Sequence, residues 1–462
     1  MPQLATTPRR GSPSVTGRPR ATLAVTAAAT AVALMNYTAP MLTLPDMAAA
    51  FGTPASAQAW LLNGTPLGLA VLLLVAGSLA DAHGRRRVFL LGTLTLGLTT
   101  ALGALAGSTL TFTAARIAQG AASAAVLAGS LGLLAHAYPA GRDRIRATGI
   151  WGASVSGGIA LGPLLAGALS LADWRLAYGT LGAAALVTGA AGTRTLAKEG
   201  KLPAAEARPD IVGALTLGLA VASLLTALTL GRDGWLRPPV GLLLLAAAAL
   251  IALFVAVEHR SRKPMIDLAL LRRPAFLAST LGALFTGLAV IGLFSVVPAL
   301  LQGGAGMSPL GSALLFLLWS GTAFVAALQA RRLAGRLSAA YQLTLGFALS
   351  AAGVLALLGG LEGPWPRLLP GLLVAGAGSG LLNAALPRLA VDSVPPERAA
   401  MGSGANNTAR YIGSSAGVAL TLALVTTGPD TALLVSAGLA VTGGVLTLVL
   451  ERSGFRVRAG RN

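Results

Sequence analysis

The chain is 462 residues long, and its 34 basic and 15 acidic residues leave it only 11% charged, against about 25% in a soluble domain. Apolar residues supply 55%, glycine adds 59 positions, and the mean hydropathy is +0.75. That composition cannot make a wettable surface, which excludes an aqueous enzyme and a disordered chain; with no cysteine, it also excludes a disulfide-stapled module or thiolate metal site.

A helix that crosses a bilayer needs about 20 mostly apolar residues. Fourteen such runs follow in order, at 21–43, 57–80, 88–108, 111–135, 148–171, 175–194, 210–230, 238–257, 275–301, 310–329, 341–361, 366–388, 401–426 and 430–450. Period-2 alternation is absent, and Ala, Leu and Gly dominate, so an all-α membrane protein is expected and not a barrel. The first run follows Arg9, Arg10, Arg18 and Arg20 and resembles a signal peptide, a reading that thirteen further runs oppose.

The net charge of +19 would suggest nucleic acid in a soluble protein. Here 28 of the 34 basic residues fall in the tails and alternate loops, four in the opposite loops, and two, Arg116 and Arg410, inside spans. By the positive-inside rule both termini are expected to be cytoplasmic, so the charge reports topology and not a nucleic-acid partner. The expected division is a tail (1–20), a six-helix bundle (21–194), a linker with two additional spans (195–257), a cytoplasmic loop (258–274), a second six-helix bundle (275–450) and a tail (451–462).

The motifs sharpen this outline. Asn36-Tyr37-Thr38 stands in the first run, which leads on to Leu44-Pro45. The loop after the second run reads Gly77-Ser-Leu-Ala-Asp81-Ala-His-Gly84-Arg85-Arg86-Arg87. In it Gly77 is expected to allow close helix contact, Asp81 to face a helix N-terminus, and Gly84 to permit a tight turn. Arg116, Gln119, Gly120 and Ser123 share one face of the fourth run. A charge at mid-helix costs at least ~2.5–3.5 kcal/mol on insertion scales, so Arg116 needs a partner or a wet cavity. The fifth run carries Gly149, Gly158, Gly162-Pro163 and Ala166-Gly167, small residues at helix-contact spacing, with a proline that frees a carbonyl at a bend.

The loop after the second run resembles the signature loop of the major facilitator superfamily, with Ala82 in place of the usual arginine. There the loop contacts the other half of the transporter, which implies a conformational latch at Gly77, Asp81, Gly84 and Arg85. The fourth run is similar to the superfamily helix whose arginine lines the cavity and is linked to proton transfer. The Gly-Pro fifth run resembles the motif marking drug antiporters, here Gly149, Gly158, Gly162, Pro163 and Gly167. Fourteen runs, the 264–276 segment, the 394–410 segment and the echo Arg331-Arg-Leu-Ala-Gly335-Arg336 are similar to the fourteen-helix drug:proton antiporter family. One departure is Asn36, which stands where that family carries an aspartate and cannot titrate.

All fifteen acids fall in loops or within about a turn of a helix end, and His83, His136 and His259 lie near cytoplasmic ends. Two arginines and no carboxylate therefore lie at membrane depth. No paired carboxylates, His cluster or plausible nucleophile lies at depth, and no phosphate-cradling loop is present, so no enzyme, cofactor, metal or direct ATP use is expected. The resemblance implies export of a hydrophobic small molecule by alternating access, coupled to protons, by a monomer in the bacterial plasma membrane. Asn36, Tyr37, Arg116, Gln119, Asn383, Asn406 and Arg410 are the expected cavity residues, with 406, 410, 413 and 417 stacked on one helical face. A net-positive cavity favours neutral, anionic or zwitterionic substrates over cations. The alternatives are a nutrient or metabolite uptake facilitator of the same superfamily, which does not need the Gly-Pro helix, and a non-transporting membrane receptor or lipid-handling protein, told apart by the absence of substrate flux.

Overall fold

The computed structural model describes residues 19–138, 142–197, 211–231, 234, 236–261, 268–333, 337–395 and 399–459. Among them there is no strand. The helices are α1 (Pro19–Thr38), α2 (Pro40–Phe51), α3 (Gln58–His83), α4 (Arg85–Ala104), α5 (Thr109–Ala137), α6 (Arg142–Leu169) and α7 (Arg175–Thr195). Then come α8 (Ile211–Leu230), α9 (Pro238–Arg260), α10 (Pro274–Phe285), α11 (Gly292–Gly303) and α12 (Pro309–Leu333). The chain ends with α13 (Ala339–Leu355), α14 (Leu369–Asp392), α15 (Ala399–Val425) and α16 (Pro429–Ala459). Ten helical segments among the described residues are long and apolar enough to cross a membrane, and three shorter apolar helices accompany them.

Local chemistry sets the boundaries. Ser108 caps α5 in a reciprocal box: its hydroxyl accepts from the Thr111 N–H while the Thr111 hydroxyl accepts from the Ser108 N–H. Pro40, Pro238 and Pro274 open α2, α9 and α10, where a missing N–H costs nothing. Pro40 also splits the first apolar run after Ala39, and α2 carries the chain past the expected end at 43 to Phe51, where Gly52 closes it at φ +59°. The 275–301 run is likewise composite, with a π-helical turn, Thr286–Ile291, between α10 and α11. The run expected over 341–361 stops being helical at Leu355.

In lipid the apolar side chains gain little by meeting one another, so helices associate where small residues let backbones approach. On α3, a Cβ at Gly68 would run into backbone atoms of Ile117, Gly120 and Ala121, and Gly120 on α5 faces Thr65 and Gly68 in return. Gly158 and Gly162 of α6 lie against Ala31, Leu34, Met35 and Thr38 of α1. Gly413 and Gly417 of α15 meet Leu284, Leu288 and Gly292 around the π turn.

The amino-terminal half (α1–α7) and the carboxy-terminal half (α10–α16) meet through α3 with α15, α6 with α12, and α2 with α11. At the α2/α11 end, Leu44, Met47, Leu61 and Leu62 form one apolar cluster with Val296, Val418 and Leu422 of the other half. At the opposite end, the starts of α1 and α6 and the end of α5 border a cavity of about 910 Å³ whose polar lining is Arg20, Tyr138, Asp143 and Arg146. The α8–α9 pair sits outside both halves: α8 packs on α3 and α15, and α9 packs on α8.

Candidate functional site

Arg116 is completely buried on α5. Its Nη1 donates to the Asn36 carbonyl at 2.7 Å, the Asn36 Oδ1 at 3.0 Å and the Gln119 Oε1 at 2.8 Å, and its Nη2 donates to the Tyr37 carbonyl at 3.3 Å. The amides are fixed in turn. Asn36 Nδ2 donates to Thr100 Oγ1 at 2.9 Å and to Gln119 Oε1 at 3.3 Å, and Gln119 Nε2 donates to the Thr99 carbonyl at 3.0 Å. The cage draws on α1, α4 and α5, and every oxygen that Arg116 meets is neutral.

A second polar group joins the two halves. The Tyr37 hydroxyl is 3.1 Å from Ser414 Oγ on α15, and the Tyr37 and Tyr411 rings meet edge to face at 5.9 Å. Asn63 Nδ2 on α3 donates to the Ser415 carbonyl at 3.1 Å, and Gln302 Nε2 on α11 donates to the Leu42 carbonyl at 3.0 Å. Arg410 lies with its guanidinium carbon 5.5 Å from the centre of the Tyr411 ring, and its Nε is buried without an acceptor.

The residues expected to share a cavity are thus divided. Asn36, Arg116 and Gln119 form the closed cage, and Tyr37 connects it to α15. Asn406 is buried and donates to Ser279 O at 2.9 Å and Ser279 Oγ at 3.0 Å, holding α15 to α10. With Gly413 and Gly417 it belongs to the face turned to α10 and α11, so the 406/410/413/417 row is chiefly a helix contact. Asn383 is half-buried on α14.

The latch and fifth-helix motifs also separate by position. Gly84 sits at φ +100° in the turn between α3 and α4, as a tight turn requires. Gly77 does not make the expected close contact: among the described residues nothing lies within 4 Å of where its Cβ would be, and the close approaches on α3 are at Gly64 and Gly68. The side chain of Asp81 lies outside the described residues, as do the side chains of Arg331 to Arg336. Arg85 donates to the Gly132 carbonyl at 3.4 Å, and Arg86 to the Thr193 carbonyl at 2.8 Å, tying the start of α4 to α5 and α7. On α6, Gly158 and Gly162 serve the contact with α1, while Gly167 reaches across to Pro309 and Ala313 of α12. Gly149 is half-buried near the start of α6, and the helix runs on through Pro163 to Leu169.

Sequence reasoning missed Asn63, Ser414 and the threonines of the cage. Asn63 carried a signal, an amide in an apolar run. Thr99 and Thr100 carried none, since threonine in such runs usually returns its hydroxyl to its own helix, as both also do here.

Two helical halves that meet around buried polar groups, within a set of apolar membrane-length helices, define a multi-pass membrane transporter. The chain belongs to the Major Facilitator Superfamily, whose family model matches residues 26–418. It is 33% identical over 380 residues to the multidrug resistance protein Stp of Mycobacterium tuberculosis (strain CDC 1551 / Oshkosh), covering 82% of this chain and 70% of that protein. The probable actinorhodin transporter of Streptomyces coelicolor is 33% identical over 424 residues, covering 87% and 71%. The puromycin resistance protein pur8 of Streptomyces alboniger is 31% identical over 423 residues, covering 90% and 83%. The crystal structure of the human organic anion transporter MFSD10 (TETRAN) superposes with a TM-score of 0.64 over 93% of this chain and 99% of that one. At 19% identity it is a likeness of fold.

Proposed function

We propose that this protein exports hydrophobic small molecules, antibiotics among them, by alternating access. The observation that carries the reading is that two helical halves meet through a few buried polar contacts, at Tyr37, Asn63 and Gln302, with an apolar cluster spanning them at the α2/α11 end. Rocking the halves about the polar contacts at Tyr37, Asn63 and Gln302 would exchange which end is closed. The relatives, named for multidrug resistance, as a probable actinorhodin transporter and for puromycin resistance, support the direction of transport. In this reading the ten long segments, the three shorter helices and α7 make fourteen spans, with both termini in the cytoplasm. The substrate is neutral, anionic or zwitterionic.

Proton coupling belongs to the same proposal and rests on the resemblance. The Arg116 cage offers no carboxylate, so the proton has to be carried by a group outside it or by the substrate. The test is efflux from cells expressing the protein, with a panel of lipophilic anions, neutral drugs and quaternary ammonium dyes, each with and without a protonophore. Export of the neutral and anionic compounds that stops with the protonophore is the expected result. Export unchanged by the protonophore removes the coupling, and accumulation in place of export removes the efflux reading.

A further inference from the structure

The two arginines at membrane depth are in different chemical situations. Arg116 is fully buried and has four neutral oxygens around its terminal nitrogens. Arg410 is half-buried, has no hydrogen bond or ion pair among the described residues, and has its guanidinium carbon 5.5 Å from the centre of the Tyr411 ring. A guanidinium has five N–H donors and stays charged in any protein environment. The Nε of both arginines is buried without an acceptor, and at Arg410 the terminal nitrogens too have none among the described residues, which leaves them open to a ligand.

The surroundings of Arg410 indicate what arrives. Ser403, Asn407, Arg410 and Ser414 recur at helical spacing on one face of α15, one residue over from the face that packs on α10 and α11. Ser403, Asn407 and Arg410 are half-buried, and Ser414, at the far end, touches Tyr37 of the other half. At its Ser414 end the stripe meets the other half, and Tyr411, whose ring Arg410 lies against, packs on Tyr37 as well. The stripe contains hydroxyls, an amide and a cation, and no acid. The Arg410 backbone is held firmly, because Gly287 of the π turn lies directly against its carbonyl. A planar fork on a fixed backbone suits two parallel bonds to a carboxylate.

We propose that Arg410 is the anion-recognising residue of the transport site and takes the carboxylate of a lipophilic monoanion, while the Arg116 cage keeps the second cation from substrate. This rests on the efflux reading and names its preferred substrate class. An anion on Arg410 lies one helical turn from the Tyr37–Ser414 contact, so binding acts where the halves meet.

The test uses the purified full-length protein in proteoliposomes, with 2-naphthoate, a longer arylalkanoate, and the primary amide of each as probes. The readout is the ratio of carboxylate to amide transport. For Arg410→Gln that ratio is expected to fall by about thirtyfold, the lower end of what loss of one partner of a buried charge pair causes. Arg410→Lys should fall in between, because it keeps the charge and loses the fork. A ratio unchanged in Arg410→Gln overturns the proposal, as does a wild-type protein that transports the amides alone; in that case the efflux reading survives. Transport of neither class by the wild type overturns both. Thermal melting of the two variants identifies a loss due to misfolding, and Asn407→Ala, on the same stripe, then serves as the second probe, with a fall in the same ratio expected and an unchanged ratio counting against the proposal.

Discussion

At the residue scale, the cage around Arg116 replaces an ion pair with dipoles. Asn36 supplies both its main-chain and side-chain oxygens to one guanidinium nitrogen, and Gln119 a third oxygen. Removing the cation leaves those oxygens buried and unpaired, so Arg116→Leu should lower the unfolding free energy by about 3 kcal/mol. A thermal melt in detergent measures it, and a melt within error of wild type would contradict the cage as described. The components Asn36, Arg116 and Gln119 were legible as polar residues in apolar runs, two of them at i, i+3. The working face of α15 was not. The rows 406/410/413/417 and 403/407/410/414 have equally good helical spacing, and only the contact of Gly413 and Gly417 with α10 and α11 decides between them.

A second residue-scale effect lies beyond the first apolar run. Burial pushes the Asp46 carboxyl above the ordinary carboxylate range, and Asp173 acts in the same direction. A folded state that holds this proton more tightly than the unfolded chain is most stable below the ordinary aspartate value of about 4. That stability is lost as pH rises through the raised folded value. Melting temperatures measured from pH 4 to 7 should therefore fall more in the wild type than in Asp46→Asn. Parallel curves would show that Asp46 does not titrate in this window.

At the scale of elements, hydropathy located almost every helix and could not see how two of them are broken. Pro40 marks the split in the first run by its chemistry. The π turn Thr286–Ile291 has no sequence mark of its own, because its glycine matters only through the α15 backbone that it meets. The α6 stripe likewise divides its work between two partners, α1 and α12. A Cβ at Gly167 would lie 2.8 Å from Ala313 Cβ and from the Pro309 carbonyl, so Gly167→Leu overpacks the junction of the halves by about 1–3 kcal/mol. The chain has no cysteine, which makes Asn63→Cys a unique reporter. Adding Gly167→Leu should speed labelling of that cysteine by about tenfold, and an unchanged rate would show that the junction does not govern closure.

At the scale of the whole molecule, the α8–α9 pair shows why fourteen runs are compatible with two six-helix halves. α8 leans on α3 and α15, one helix from each half, and α9 contributes mostly surface, with 17% of its most apolar window buried. The distribution of basic residues fixes the expected sidedness. A cysteine in place of Lys201 should react with an impermeant maleimide only after permeabilisation, and one in place of Arg232 should react in intact cells. The reverse pattern would invert the topology.

The contacts that hold the two halves together have a further consequence for populations. Three hydrogen bonds named above cross between the halves, at Tyr37, Asn63 and Gln302. At about 1 kcal/mol each they give the closed arrangement a polar bias of about 3 kcal/mol. Swinging a two-state equilibrium from 1:99 to 99:1 takes about 5.5 kcal/mol of differential affinity. A pair of charge-assisted bonds to one guanidinium supplies about 3–6 kcal/mol. The polar part of the latch and the cargo are therefore weighted on the same scale, so modest changes in either shift how long the transporter dwells in each state.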